Sequence, residues 1–317
     1  MKAWVIVLIL AGLYIVFIAA PAVVMTVVTF SRRDIKKNKN NRLEDSCYLP
    51  YEKLMKEGLI HFRHSTREEI SADAFDGVRL AADYYPADSR TTVILMHGYN
   101  TSPIANYCVI GADLHKMGMN VLMPYERGHL KSGGKHSTLS MLERKDVVTW
   151  VQWAREHGAE QIVLYGISMG AASVAYALEN LPADTVKRAV VDCGFVSPYE
   201  AMRRESDKRR LPSGMLMPYS VLISRLLFHT DIRYRTTESL SGTEIPVLFL
   251  YGDADTTVDV KEGRSMYEAC ASEKVFLEVR GAEHTVAYLA ASPEQKEQFR
   301  KFINICREDG GTGENHG

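Results

Sequence analysis

Hydrophobic and polar positions divide the chain into stretches of different texture. From Ala3 to Phe30 apolar residues run almost unbroken, with Tyr14, Thr26 and Thr29 as the clearly polar exceptions. A helix needs roughly 20 apolar residues to cross the hydrocarbon core, so this run predicts a transmembrane helix with some tilt to spare. Pro21 is expected to kink it or mark a local break. A cleaved signal peptide is the competing reading. Ala19, Ala20 and Ala22 supply the small residues cleavage would use, but a signal's apolar region is usually about 7–15 residues, shorter than this run. A basic, Asn-rich linker follows over residues 31–41, and residues 47–69 suggest only a helix leading into the domain.

Beyond that point short apolar runs alternate with helical periodicity. Residues 78–85, 92–96, 120–124, 161–165, 188–192, 246–251 and 275–279 read as strands. Residues 105–117, 139–157, 169–181, 260–271 and 293–305 read as helices between or after them. The helix over 139–157 carries an apolar stripe at Leu142, Val147, Trp150, Val151 and Ala154. Short, continuously apolar strands separated by helices predict an α/β fold with a mostly parallel sheet covered on both faces. Residues 196–243 break this rhythm: they are too long for a crossover and combine basic residues (Arg203, Arg204, Lys208, Arg209, Arg210) with an apolar run from Met215 to Phe228. They read either as a helical cap with an apolar underside for substrate or as a helix packed on the sheet. The expected organisation is an anchor (1–30), a basic linker and lead-in (31–69), an α/β domain (70–307) with the cap at 196–243, and a Gly-rich tail without fixed structure (308–317).

Charge narrows the partners. The formal net charge of -1 argues against nucleic-acid binding, which needs a basic excess to neutralise phosphates. Locally the picture differs: only Lys2 precedes the apolar run, whereas Arg32, Arg33, Lys36, Lys37, Lys39 and Arg42 follow it. The positive-inside rule then places the C-terminal side in the cytoplasm. Cys47, Cys108, Cys193, Cys270 and Cys306 are odd in number and contain no CxxC pair, so they read as free thiols rather than as a metal or redox motif. No metal or cofactor is expected.

Candidate chemistry lies where strands end. Gly166-Ile167-Ser168-Met169-Gly170 follows a strand and opens a helix, the context of a nucleophilic serine on a sharp turn. Gly166 and Gly170 remove side chains that would clash there. Serine is a weak nucleophile and needs a base held by an acid. In the order serine, acid, histidine, the base must come late, which leaves His284 and His316; His284 sits in a turn just after a strand. Gly252-Asp253-Ala254-Asp255 offers two acids. Asp255 is favoured as the catalytic acid, Asp253 as a brace of the turn, and Asp192 is a distant third. Backbone donors for an oxyanion are expected at Met169 and, after His97-Gly98, at Tyr99, with Asn100 second. His97 itself reads as structural.

These residues together resemble the α/β-hydrolase superfamily, nearest its serine aminopeptidase-like and lysophospholipase-like branch. His97-Gly98-Tyr99, the Ser168 pentapeptide, Gly252–Asp255 and Glu283-His284 stand in the family's order. Arg127-Gly128-His129-Leu130-Lys131-Ser132 is similar to the family's R-G-x-G-x-S loop but has Leu130 where glycine is usual. The resemblance implies a doubly wound sheet, no cofactor, and hydrolysis through an acyl-enzyme. The expectation is therefore a membrane-tethered serine esterase acting on a lipid-like or amphiphilic acyl ester. A serine peptidase of the aminopeptidase type, using cap acids such as Glu200, Glu205 or Asp207, and a non-catalytic binding module are the alternatives.

Overall fold

The computed structural model describes residues 2–32 and 46–304. Most of the basic linker, Cys306, the tail and His316 lie outside the described residues.

Helix α1 spans Ala3–Phe30. Pro21 does not break it. A π-helical turn over Ile15–Ala19 lies immediately ahead of the proline, and such a turn is a common way to relieve the missing N–H and the clash of the ring with the preceding turn. Most of the helix surface is exposed and apolar: Trp4, Ile6, Leu8, Leu10 and Phe17 all face outward. Its buried positions are Ile18, Ala22, Thr26 and Phe30, four residues apart and therefore on one face.

Eight strands form one sheet in the order β1-β2-β4-β3-β5-β6-β7-β8. They are β1 (Glu68–Asp73), β2 (Arg79–Tyr85), β3 (Thr91–Met96), β4 (Asn120–Tyr125), β5 (Gln161–Ile167), β6 (Val186–Asp192), β7 (Val247–Gly252) and β8 (Lys274–Val279). β1 and β4 each pair antiparallel with β2, and every other pair is parallel. β3 shows why its sequence is apolar throughout. Ile94 and Met96 join the core containing Trp150 and Tyr176, while Val93 and Leu95 join the opposite core containing Tyr107 and Phe299. A strand buried on both faces cannot alternate polar with apolar residues.

Three expectations are corrected in detail. β1 carries no sequence signal: it is an edge strand with no fully buried position, so no hydrophobic face marks it. The helix expected over 105–117 is two pieces, Pro103–Tyr107 and Ile110–Lys116. The helix expected from Leu139 begins at Glu143, because Leu139 and Ser140 both take positive φ (50° and 81°), which no right-handed helix accommodates.

The segment between β6 and β7 forms helices α2 (Pro198–Lys208) and α3 (Ser213–Phe228). No residue of the apolar run is among those lining the cavity over Ser168, and part of the run packs on α1. Leu216 of α3 packs against Ile18 and Ala22 of α1, Phe228 meets Phe30 edge-to-face at 4.9 Å, and the Tyr219 hydroxyl hydrogen-bonds that of Tyr14. It is α2 that supplies residues to the cavity over Ser168.

Candidate active site

The turn from β5 into the helix Met169–Ala177 holds Ser168 at φ 54°, ψ −111°, a conformation that L-residues avoid and that persists only where surroundings enforce it. The enforcement is steric. A Cβ on Gly170 would lie 1.9 Å from the carbonyl oxygen of Met96, so only glycine lets β3 and the helix approach this closely. The Ser168 amide donates to the Asp192 carbonyl at 2.8 Å, and its hydroxyl projects beyond the sheet edge.

Ser168 Oγ lies 2.9 Å from His284 Nε2, and His284 Nδ1 lies 2.6 Å from Asp255 Oδ2. An ionised carboxylate only accepts, so Nδ1 carries the proton and Nε2 receives the serine hydroxyl's hydrogen bond. Asp255 Oδ1 accepts from the amides of Thr257 (2.7 Å) and Val258 (2.9 Å), which fixes the carboxylate's orientation. The Asp255 side chain is fully buried, while that of His284 is 16% exposed. The carboxylate is sealed and the imidazole has an open side.

Glycine explains how the two loops meet. A Cβ on Gly252 would stand 2.0 Å from the Ala282 carbonyl oxygen, so the end of β7 presses directly on the loop carrying His284. The Gly281 amide donates to Asp253 Oδ1 (2.5 Å) and the Ala254 amide to the Ala282 carbonyl (3.2 Å). Asp253 braces the turn, as the sequence suggested. Asp192 lies buried nearby, accepting from the Tyr165 hydroxyl at 2.7 Å; burial pushes its carboxyl up to about 7.

Met169 opens its helix beside the serine. The Asn100 amide donates to His129 Nε2 at 3.1 Å, so this expected second-choice donor is already engaged. Gly98 sits where a Cβ would be 3.6 Å from the Ser168 Cβ, so this loop borders Ser168. His97 is fully buried; Nδ1 donates to the Gly98 carbonyl at 2.7 Å and Nε2 accepts from the Glu126 amide at 3.0 Å. These are structural bonds. In the Arg127 loop, Leu130 takes φ 43°, which accounts for glycine being usual at its position.

Several contributors carried no sequence signal. Tyr48, in the lead-in turn Ser46–Tyr51, places its hydroxyl 2.6 Å from Thr285 Oγ1 beside His284. Asn106 Oδ1 accepts from the Gly98 amide at 2.9 Å. Cys193 Sγ, a carboxylate oxygen of Asp255 and a ring nitrogen of His284 lie within 4.8 Å of one another. An ion held by those three would have to break the bonds from His284 to its neighbours.

A cavity of about 600 Å³ opens over Ser168. Tyr99, Leu139, Phe195 and Val258 line it from the domain, Ala201, Met202, Arg204, Glu205, Lys208 and Arg209 from α2, and Pro21, Val24, Met25, Val28 and Thr29 from α1.

Residues 87–234 match the family described as serine aminopeptidase, S33. The chain is 26% identical to the YqkD protein of Bacillus subtilis over 228 residues, covering 69% of this chain and 73% of that one. It is 27% identical to a monoacylglycerol lipase of Mycolicibacterium smegmatis over 281 residues, covering 73% and 94%, and 27% identical to the membrane protein YNL320W of Saccharomyces cerevisiae over 239 residues, covering 73% of each. Among solved structures, the esterase Pf2001 of Pyrococcus furiosus superposes with a TM-score of 0.61 at 24% identity, covering 75% of this chain and 91% of that one. That likeness speaks for the fold. With the mostly parallel sheet, the strained serine turn and the family match all in agreement, the chain has the α/β-hydrolase fold and is a hydrolase.

Proposed function

We propose that this hydrolase is a membrane-anchored serine esterase in which Ser168 is the nucleophile, His284 the general base and acid, and Asp255 the residue that orients His284. The observation that carries this reading is the continuous hydrogen-bond chain from Asp255 through His284 to Ser168 at the floor of the cavity. Ser168 Oγ attacks the acyl carbon while its proton passes to His284 Nε2. The oxyanion forms against the amides of Met169 and Tyr99. Collapse breaks the ester C–O bond, and the alcohol leaves with the proton held by His284. Water then repeats the sequence, releasing the acid and restoring Ser168. Asp255 stabilises the imidazolium in both halves.

The substrate is an acyl ester of lipid-like or amphiphilic character. The cavity's apolar lining supports this, as do the monoacylglycerol lipase and esterase relatives. Its polar edge argues against an aminopeptidase. Arg204, Lys208 and Arg209 outnumber Glu205 there, and Glu205 is already paired with Arg209 at 2.7 Å, so the edge suits an amine poorly. Glu200 and Asp207 are not among the residues lining the cavity. α1 spans the membrane once in this reading, and the basic residues that follow it hold the domain on the cytoplasmic side. The division into anchor, linker, α/β domain and cap follows the same reading.

The test is hydrolysis of a p-nitrophenyl ester series by the full chain. Ser168→Ala and His284→Ala are each expected to lower kcat/KM by about 10³-fold or more. Equal rates in parent and both variants would reject the assignment.

A further inference from the structure

The anchor helix is built into the site as well as into the membrane. Four side chains of α1, Pro21, Val24, Met25 and Val28, form one wall of the cavity above Ser168. They lie on a face of the helix adjacent to the one buried at Ile18, Ala22, Thr26 and Phe30. The end of α1 is fastened to the domain by many bonds. The Tyr99 hydroxyl donates to the Thr29 carbonyl at 2.6 Å, and the Ser137 amide to the Phe30 carbonyl at 2.8 Å. Arg32 donates to the carbonyls of Leu130 (2.6 Å), Ser132 (2.7 Å) and Gly134 (3.2 Å). Phe30 is fully buried. A tether whose only task is attachment needs none of this.

Length then locates the cavity relative to the bilayer. The helix has 28 residues, about 42 Å at 1.5 Å per residue, against a hydrocarbon core of about 30 Å. Counting roughly 20 residues from Ala3 reaches Ala22, so the cavity wall falls where α1 leaves the hydrocarbon. α3 lies beside this stretch. Its outward Met215, Leu222, Leu226 and Leu227 are 49–64% exposed, and they extend the apolar surface of α1 sideways. A soluble domain gains nothing from four large apolar side chains in water; set in the near leaflet they are solvated by lipid.

We infer that α1 is the acyl-chain wall of the active site, so that the substrate is a long-chain acyl ester drawn sideways from the near leaflet, its chain lying on Pro21, Val24, Met25 and Val28. This rests on the esterase reading above and specifies its substrate class. It also assigns α1 a role in specificity that domain-only fragments would lack.

Two measurements on the full chain in phosphatidylcholine vesicles test it. In the first, rates on p-nitrophenyl laurate and p-nitrophenyl butyrate are compared. Val24→Trp and Val28→Trp, which fill the wall, are expected to lower the laurate-to-butyrate ratio at least tenfold. Val23→Trp, exposed on the same helix but not lining the cavity, is expected to leave the ratio as in the parent. An unchanged ratio in Val24→Trp and Val28→Trp, or an equal fall with Val23→Trp, overturns the inference. In the second, a dodecyl fluorophosphonate with a terminal diazirine is added. Ser168 Oγ displaces fluoride to form the Oγ–P bond, and illumination cross-links the tail. The cross-link is expected within residues 21–29. Labelling at Ser168 with cross-links elsewhere overturns the inference and leaves the esterase reading standing. No labelling at Ser168 rejects the esterase reading, and the inference with it.

Discussion

The two sides of the active site are held by different physics. The sheet side is fixed by backbone geometry: a serine at φ 54°, glycines where any Cβ would collide with a carbonyl, and a carboxylate oriented by two amides. Such constraints tolerate few alternatives, and the reacting atoms must be held within fractions of an ångström. The cover side, α1 with α2 and α3, is held by side-chain packing and a handful of terminal hydrogen bonds. Packing of this kind permits substitution at similar volume. In the proposed reading the chemistry therefore sits on the side that cannot vary, and the substrate meets the side that can.

Predictions follow the same division. Asp255→Asn should lower kcat by about 10⁴-fold with the fold intact by circular dichroism, because an amide in its place no longer fixes the tautomer and orientation of the imidazole; a fall of less than tenfold would mean that the sheet side is not set as described. Phe30→Ala should cost about 3 kcal/mol, locally, by emptying the contact with Phe228. Hydrogen exchange should accelerate in residues 213–228 and not in β5. Equal acceleration in both would erase the distinction between the two sides.

Asp192 gives a test by pH. Burial raises its carboxyl from 3.8 to about 7, so the folded chain keeps this proton over a range in which the unfolded chain has released it. Its contribution to stability is therefore fully present below about pH 4 and is lost as pH rises towards 7. Asp192→Asn carries no such dependence. Its melting temperature relative to the parent should rise by a few degrees between pH 5 and pH 8, and a flat difference would refute the protonated carboxyl. Leu130→Gly should produce the smallest effect, a gain of about 0.5 kcal/mol, since glycine accepts φ 43° without the Cβ conflict but loses more entropy on folding. Denaturant midpoints would measure it.

The division also accounts for what could be read from the chain. The serine turn, Gly252–Asp255 and His284 were legible because each is a local pattern tied to the end of a strand, and the structure brings Ser168, Asp255 and His284 into hydrogen-bond contact. The interior strands were legible because burial on both faces leaves an apolar run. β1 was not, since no residue in it is fully buried. The cavity wall on α1 was not legible either. A helix apolar on every side carries no periodicity to mark which face meets the domain. The apolar run of α3 pointed to a buried or covering helix, but only tertiary contacts reveal that it packs on α1. Tyr48 bonds Thr285 beside His284 across 237 residues, a separation that no local pattern records.

The central claim, that Ser168 is the nucleophile, is tested most directly by fluorophosphonate labelling of the full chain followed by peptide mass spectrometry. The account predicts one adduct per chain, on the peptide containing Ser168, and none in Ser168→Ala. A folded parent that takes no label, or one that carries it on another residue, would contradict it.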